Sequence, residues 1–264
     1  MTITPSRPVL LCLPPAGTGA GLFRNWVQTA PSTMTVHPVA LPGREARYCE
    51  PAPRSIDALA DQLAVELEPY IGGRYAIFGY SMGALLGYEI ARRFSAAGLP
   101  MPEVFFALGC NAPDRMVYER EPFHTMEADA FRQALIDLGG TDAEILNNPE
   151  AMELFEPLLR NDFRICETYT HDATRGTLDC PVHIFLSDGD AFVNRQAAAA
   201  WCDFVTGGTR LHPVAGAHML ERPVLDTLPA RLATLWFGTG ENRLQHRSEK
   251  WEPVFGKSDA KTRI

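Results

Sequence analysis

Short apolar runs of high β-propensity alternate along this chain with longer segments of helical period, and that alternation narrows the fold more than any other feature. The runs are Val9–Leu13, Thr35–Leu41, Tyr75–Tyr80, Val104–Leu108, Val182–Leu186 and Thr209–Val214. Several are apolar throughout rather than at every second position, as expected for strands covered on both faces. The helical pattern is clearest from Ser55 to Ile71, where Ile56, Leu59, Ala60, Leu63, Leu67, Tyr70 and Ile71 fall on one face behind Ser55 as N-cap. A second helix is expected from Ser81 through Phe94, closed by Gly98 and Pro100. The pattern is that of an α/β chain with a mostly parallel central sheet flanked by helices.

One stretch departs from the alternation. From Ala112 to about Thr174 the sequence offers helices and no strand, with a capping box at Thr141–Glu144 and an N-cap followed by proline at Asn148-Pro149-Glu150. Such a block between two core strands reads as a helical lid, residues 112–174, inserted into one domain spanning residues 1–237. The polar segment 238–264 is expected to be a flexible tail.

Composition removes several functions. The 264 residues, 46% hydrophobic and 21% charged, suit one large α/β domain. A net charge of −8 without any basic run argues against nucleic acid or an acidic membrane as partner. No apolar run approaches the roughly 20 residues of a bilayer helix, and the N-terminus lacks a signal-peptide pattern, so a cytoplasmic chain is expected. The six cysteines are scattered without a C-x-x-C, which points to reduced thiols and to no metal site.

Chemistry is concentrated at Gly79-Tyr80-Ser81-Met82-Gly83, a G-x-S-x-G motif between an apolar strand and a helical run. In that setting the serine occupies a sharp strand-to-helix turn that lifts its hydroxyl above the sheet, with the helix N-terminus behind it. Serine is a weak nucleophile and needs a base oriented by an acid, in the chain order serine, acid, histidine. Downstream stand His124, His171, His183, His212 and His218, with His246 in the polar tail. His218 is the candidate base because Gly216-Ala217-His218 forms a tight loop after the last strand, whereas His183 and His212 lie inside strands. The acid should follow Val182–Leu186, where Asp190 is the choice and Asp188 the alternative, a turn former. Two backbone N–H donors should receive the oxyanion, one from Met82 and one from Ala16 in the turn Leu13-Pro14-Pro15-Ala16-Gly17-Thr18-Gly19.

Taken together, these residues resemble the type II thioesterases, the standalone α/β-hydrolases encoded beside nonribosomal peptide and polyketide synthases. The likeness runs from about Val9 to Phe237. It also rests on Phe23 and Trp26, Leu41-Pro42-Gly43-Arg44-Glu45-Ala46-Arg47, Leu138-Gly139-Gly140 and Leu158-Leu159-Arg160-Asn161-Asp162-Phe163. It implies a serine thioesterase that needs no cofactor and clears acyl groups from the phosphopantetheine arm of acyl- or peptidyl-carrier domains, acting as a monomer. A medium-chain acyl-carrier thioesterase, a small-molecule carboxylesterase and a non-catalytic carrier-binding protein are the alternatives. Tyr80 stands where the family usually has histidine and should alter the pocket wall, while Thr18 replaces a glycine and should reshape the arm's entry. Arg44 and Arg47 are candidate partners of the arm's phosphate or the carrier's acidic surface, with fold-internal ion pairs the alternative. Phe105, Phe106, Phe131 and Phe155 are expected in the core rather than in an acyl pocket.

Overall fold

The strands β1 (Val9–Leu13), β2 (Thr35–Pro38), β3 (Tyr75–Tyr80), β4 (Phe105–Leu108), β5 (Val182–Gly189) and β6 (Thr209–Ala217) form one sheet. Their order is β2-β1-β3-β4-β5-β6, with every neighbouring pair parallel. The computed structural model describes residues 7–116, 121–139, 141 and 143–238. The capping box that includes Asp142, Gly140 of the Leu138-Gly139-Gly140 motif and the tail beyond Gly238 lie outside the described residues.

The unbroken apolar character of the central strands has a direct cause. β1, β3 and β4 are buried along their whole length. Because successive side chains point to opposite faces, Leu11, Ile77, Phe105 and Ile184 join one core cluster while Leu10, Phe78, Phe106 and Phe185 join the other. The first face is covered by α2 (Ile56–Leu67) and α3 (Met82–Ala96), which pack on each other. Ser55 caps α2 as expected, its hydroxyl accepting from Ala58 N at 3.1 Å. The second face is covered by α1 (Arg24–Thr29) near the N-terminus and by the elements near the C-terminus.

Between β4 and β5 the described residues contain helices and short turns but no strand. The helices are α4 (Ala128–Leu138), α5 (Ala143–Leu146) and α6 (Pro149–Glu167). Asn148 Oδ1 caps α6 by accepting from Glu150 N and Ala151 N. This block carries its own apolar cluster, built on Phe123, Phe131, Leu135, Leu146, Met152 and Leu159. After β5 come α7 (Arg195–Ala199), then β6, α8 (Arg222–Leu225) and α9 (Leu228–Phe237). No helix among the described residues is long and apolar enough to cross a membrane.

Strand ends differ most from expectation at β2, β5 and β6, while β4 begins one residue late, at Phe105. β2 stops at Pro38 rather than Leu41: Pro38 has no N–H to donate, Val39 N makes a last bond to Cys12 O at 2.9 Å, and Gly43 at φ 82 then turns the chain. β5 runs on to Gly189 and β6 to Ala217, through a register shift between Ser187 and Gly189. Asp188 Oδ1 accepts from Gly216 N at 3.0 Å, so a side chain holds together polar strand ends that hydrophobic pattern alone leaves as loop.

Candidate active site

Ser81 sits where β3 passes into α3, with φ 52 and ψ −115, a backbone conformation costly for any residue but glycine. The flanking glycines are demanded by contact. A Cβ on Gly79 would lie 2.4 Å from Ala84 Cα, and one on Gly83 would lie 2.2 Å from Leu13 O and 2.7 Å from Pro14 O. The turn is therefore wedged against the end of β1 and the loop that follows it. Met82 opens α3, where a backbone N–H has no intrahelical acceptor.

The chain brings His218 and Asp190 to that serine from two other strands. His218 follows β6 directly; its Nε2 is 2.9 Å from Ser81 Oγ and its Nδ1 2.8 Å from Asp190 Oδ2. A carboxylate only accepts, so Nδ1–H donates to Asp190 and leaves the Nε2 lone pair facing the hydroxyl. The other Asp190 oxygen accepts from Phe192 N at 2.8 Å and Val193 N at 3.0 Å. Burial alone would raise this carboxyl, but the hydrogen bond and charge of His218 and the two N–H donors outweigh it and hold Asp190 below the usual carboxylate range. Asp188, bonded to Gly216 N, takes no part in this row.

A cavity of about 290 Å³ opens above these groups. Ala16, Thr18, Ser81, Met82 and His218 line it, so both expected oxyanion donors border the same space as the serine and histidine. Leu135, Leu138, Ile145, Phe155, Leu159 and Phe163, all from the helical insertion, supply apolar lining to the same cavity. Phe105, Phe106 and Phe131 are fully buried as expected, but Phe155 is 38% exposed and lines the cavity, contrary to the expectation of a core residue. Among the described residues the other downstream histidines are engaged elsewhere: His124 Nδ1 is 2.7 Å from Glu167, His171 Nδ1 is 3.3 Å from Arg92 Nη1, and His183 Nδ1 is 2.7 Å from His212 Nε2, while His246 lies outside the described residues.

Tyr80 departs from the expectation, whereas Arg44 and Arg47 follow the ion-pair alternative. Tyr80 is not in the cavity wall; it is buried, donates its hydroxyl proton to His218 O at 2.6 Å and accepts from Leu220 N at 2.7 Å. A phenol in an otherwise apolar strand was the available signal, but its partners lie about 140 positions away. Arg44 is not presented to an arm or a carrier. Its guanidinium is buried and forked onto Asp162 of α6, at 2.8 and 2.7 Å. Arg47 is tied to Glu50 and Glu66, so the ion-pair alternative describes both arginines.

Residues 8–230 match the thioesterase domain family. The chain is similar to thioesterase PikA5 of Streptomyces venezuelae, with 32% identity over 214 residues that cover 79% of this chain and 74% of that one. Among solved structures it resembles ClbQ from the colibactin nonribosomal peptide/polyketide pathway, with a TM-score of 0.81, 29% identity and coverage of 88% of this chain and 97% of that one. It also resembles the type II thioesterase BorB from the borrelidin biosynthetic cluster, with a TM-score of 0.79, 30% identity and coverage of 89% and 95%.

Proposed function

The chain belongs to the thioesterase family, and from that membership we propose a type II thioesterase that hydrolyses acyl groups from the phosphopantetheine arm of carrier domains. Its task is to clear acyl chains that stall nonribosomal peptide or polyketide synthesis. The observation that carries the reading is the hydrogen-bonded row Ser81–His218–Asp190 beside an apolar cavity. The cavity's apolar lining suits an acyl chain, and Ser81 on that lining suits attack on a thioester carbonyl delivered on a flexible arm.

The chemistry follows from the row. As Ser81 Oγ attacks the thioester carbon, its proton passes to His218 Nε2, and Asp190 stabilises the imidazolium that forms. The N–H groups of Ala16 and Met82 receive the oxyanion. Collapse breaks the C–S bond, and His218 returns its proton to the departing thiolate, leaving acyl-Ser81. Water then gives a proton to His218 and attacks the acyl carbon. The C–O bond to Ser81 breaks, the serine is reprotonated and the carboxylic acid leaves.

Ser81→Ala is the direct test, with an acyl-loaded carrier domain as substrate. Turnover should vanish while the melting temperature holds, and wild-type enzyme trapped early should carry the acyl mass on Ser81. Undiminished hydrolysis by the variant would remove Ser81 from the reaction. A matched oxygen ester should be the poorer substrate by kcat/KM.

A further inference from the structure

Two stretches of the sequence that catalysis by Ser81, His218 and Asp190 leaves unexplained meet each other in the fold. Leu41–Arg47 supplies Arg44, and Leu158–Phe163 on α6 supplies Asp162, 118 positions away. The pair clasps the loop that follows β1. Asp162 Oδ2, besides bonding Arg44, accepts from Gly17 N at 2.8 Å, and Arg44 Nη1 donates to Thr18 O at 2.8 Å. Leu159, one turn earlier on α6, closes on the same loop so tightly that a Cβ on Gly17 would lie 2.3 Å from its Cδ2.

We propose that Arg44 and Asp162 are positioning residues for the oxyanion loop, fixing the backbone next to Ala16 against helix α6. The proposal rests on the assignment of Ser81 and Ala16 made above. Securing the Gly17 N–H fixes the peptide plane on the carboxyl side of Ala16, and securing Thr18 O fixes the next but one. Stability alone is a poor reason for such a pair. Arg44 is 6% exposed and Asp162 fully buried, and a buried ion pair regains little of its desolvation cost. Arg44 Nε is also buried without a partner among the described residues, a further cost. What the pair does supply is a rigid two-pronged grip on a loop that must aim a donor to within a fraction of an ångström. Because Asp162 rides on α6, the same grip ties the aim of the donor to the helix that walls the cavity.

The test separates aim from stability with two variants. Asp162→Asn takes one charged acceptor from Arg44. Arg44→Met/Asp162→Leu replaces the pair by apolar side chains, which commonly preserves folding but can bond neither Gly17 N nor Thr18 O. Each is assayed for melting temperature, for kcat and KM with octanoyl-N-acetylcysteamine thioester, and for inhibition by octylboronic acid. The boron of that probe bonds Ser81 Oγ and places an oxygen at the oxyanion position. Both variants should lose about 10–100-fold in kcat with KM changed by about twofold or less, and boronate affinity should weaken in parallel with kcat. The double variant should do so with its melting temperature near wild type.

Recovery of wild-type kcat and boronate affinity along with stability in the double variant would overturn the proposal. So would an Asp162→Asn enzyme that melts early but keeps both. If neither variant folds, Arg44→Lys decides: it keeps the charge and loses the fork, so reduced kcat at unchanged KM supports the grip and unchanged kcat refutes it. Wild-type enzyme insensitive to the boronate, together with an active Ser81→Ala, would instead strike at the assignment of Ser81.

Discussion

Replacing Tyr80 by phenylalanine removes one oxygen and tests how the base is held. The ring stays, so the packing of Tyr80 among Phe78, Phe106 and Leu108 is kept. What disappears is a bridge of 2.6 Å to His218 O and 2.7 Å to Leu220 N. Both backbone groups are left in a buried setting, at about 1–3 kcal/mol for each unsatisfied group. Allowing for partial relaxation, the loss should be about 2–4 kcal/mol, which for a domain of this size lowers the melting temperature by about 5–10 °C. The kinetic effect should be separate and selective. The freed segment carries His218, and a drift of its imidazole by about 1 Å costs on the order of 100-fold in turnover, while the apolar wall that binds the acyl chain is untouched. Thermal melts and steady-state kinetics with an acyl thioester would give both numbers. A Tyr80→Phe enzyme that melts within about 1 °C of wild type at undiminished kcat would refute the reasoning, since the bridge would then carry neither stability nor alignment.

Other perturbations have equally definite outcomes. Asp190→Asn should lower kcat by about 10⁴-fold, because the amide favours the wrong imidazole tautomer; loss of under tenfold would exclude Asp190 as orienting acid, and Asp188→Asn serves as comparison. Gly83→Ala must push its Cβ into the Leu13 and Pro14 backbone, which should destabilise the fold by about 3 kcal/mol and displace the loop bearing Ala16, read as lowered melting temperature and kcat together. His212 is pushed down to about 4 by burial and by Arg231 and Arg210, from an ordinary 6.5. The folded state therefore resists a proton that the unfolded chain accepts. Stability from this site is complete above pH 6.5 and drains away as pH falls towards 4. His212→Gln should flatten melting temperature against pH in that window, and an unchanged slope would assign the acid sensitivity elsewhere.

Much of the architecture was readable because single residues announce it. The central strands are apolar at every position since both faces are covered, Ser55 marks the start of α2, and Gly79 and Gly83 flank Ser81 because nothing larger fits. The ends of β5 and β6 were not readable. Ser187–Gly189 and Ala215–Ala217 are held by ladder bonds and by the Asp188 side chain, neither of which leaves a hydrophobic period. The role of Tyr80 and the partner of Arg44 were not readable for another reason. Each depends on a partner over one hundred positions away, and a residue's type shows its capacity for a bond but not the bond's other end. Phe155 departs from expectation because aromatic residues on helices are usually core, whereas α6 turns this one towards the cavity.

The order of elements along the chain also sets a timetable for the nascent polypeptide. β1, β3 and β4, with the serine and the loop that opposes it, leave the ribosome well before β5 and β6, since the whole helical block comes between. Synthesis runs from the N-terminus, so the serine is made well ahead of its imidazole, which comes only with His218 after the sixth strand. Throughout that interval the growing protein carries an isolated hydroxyl, and the hydrogen-bonded row of serine, histidine and aspartate is complete only when the sixth strand docks on the fifth.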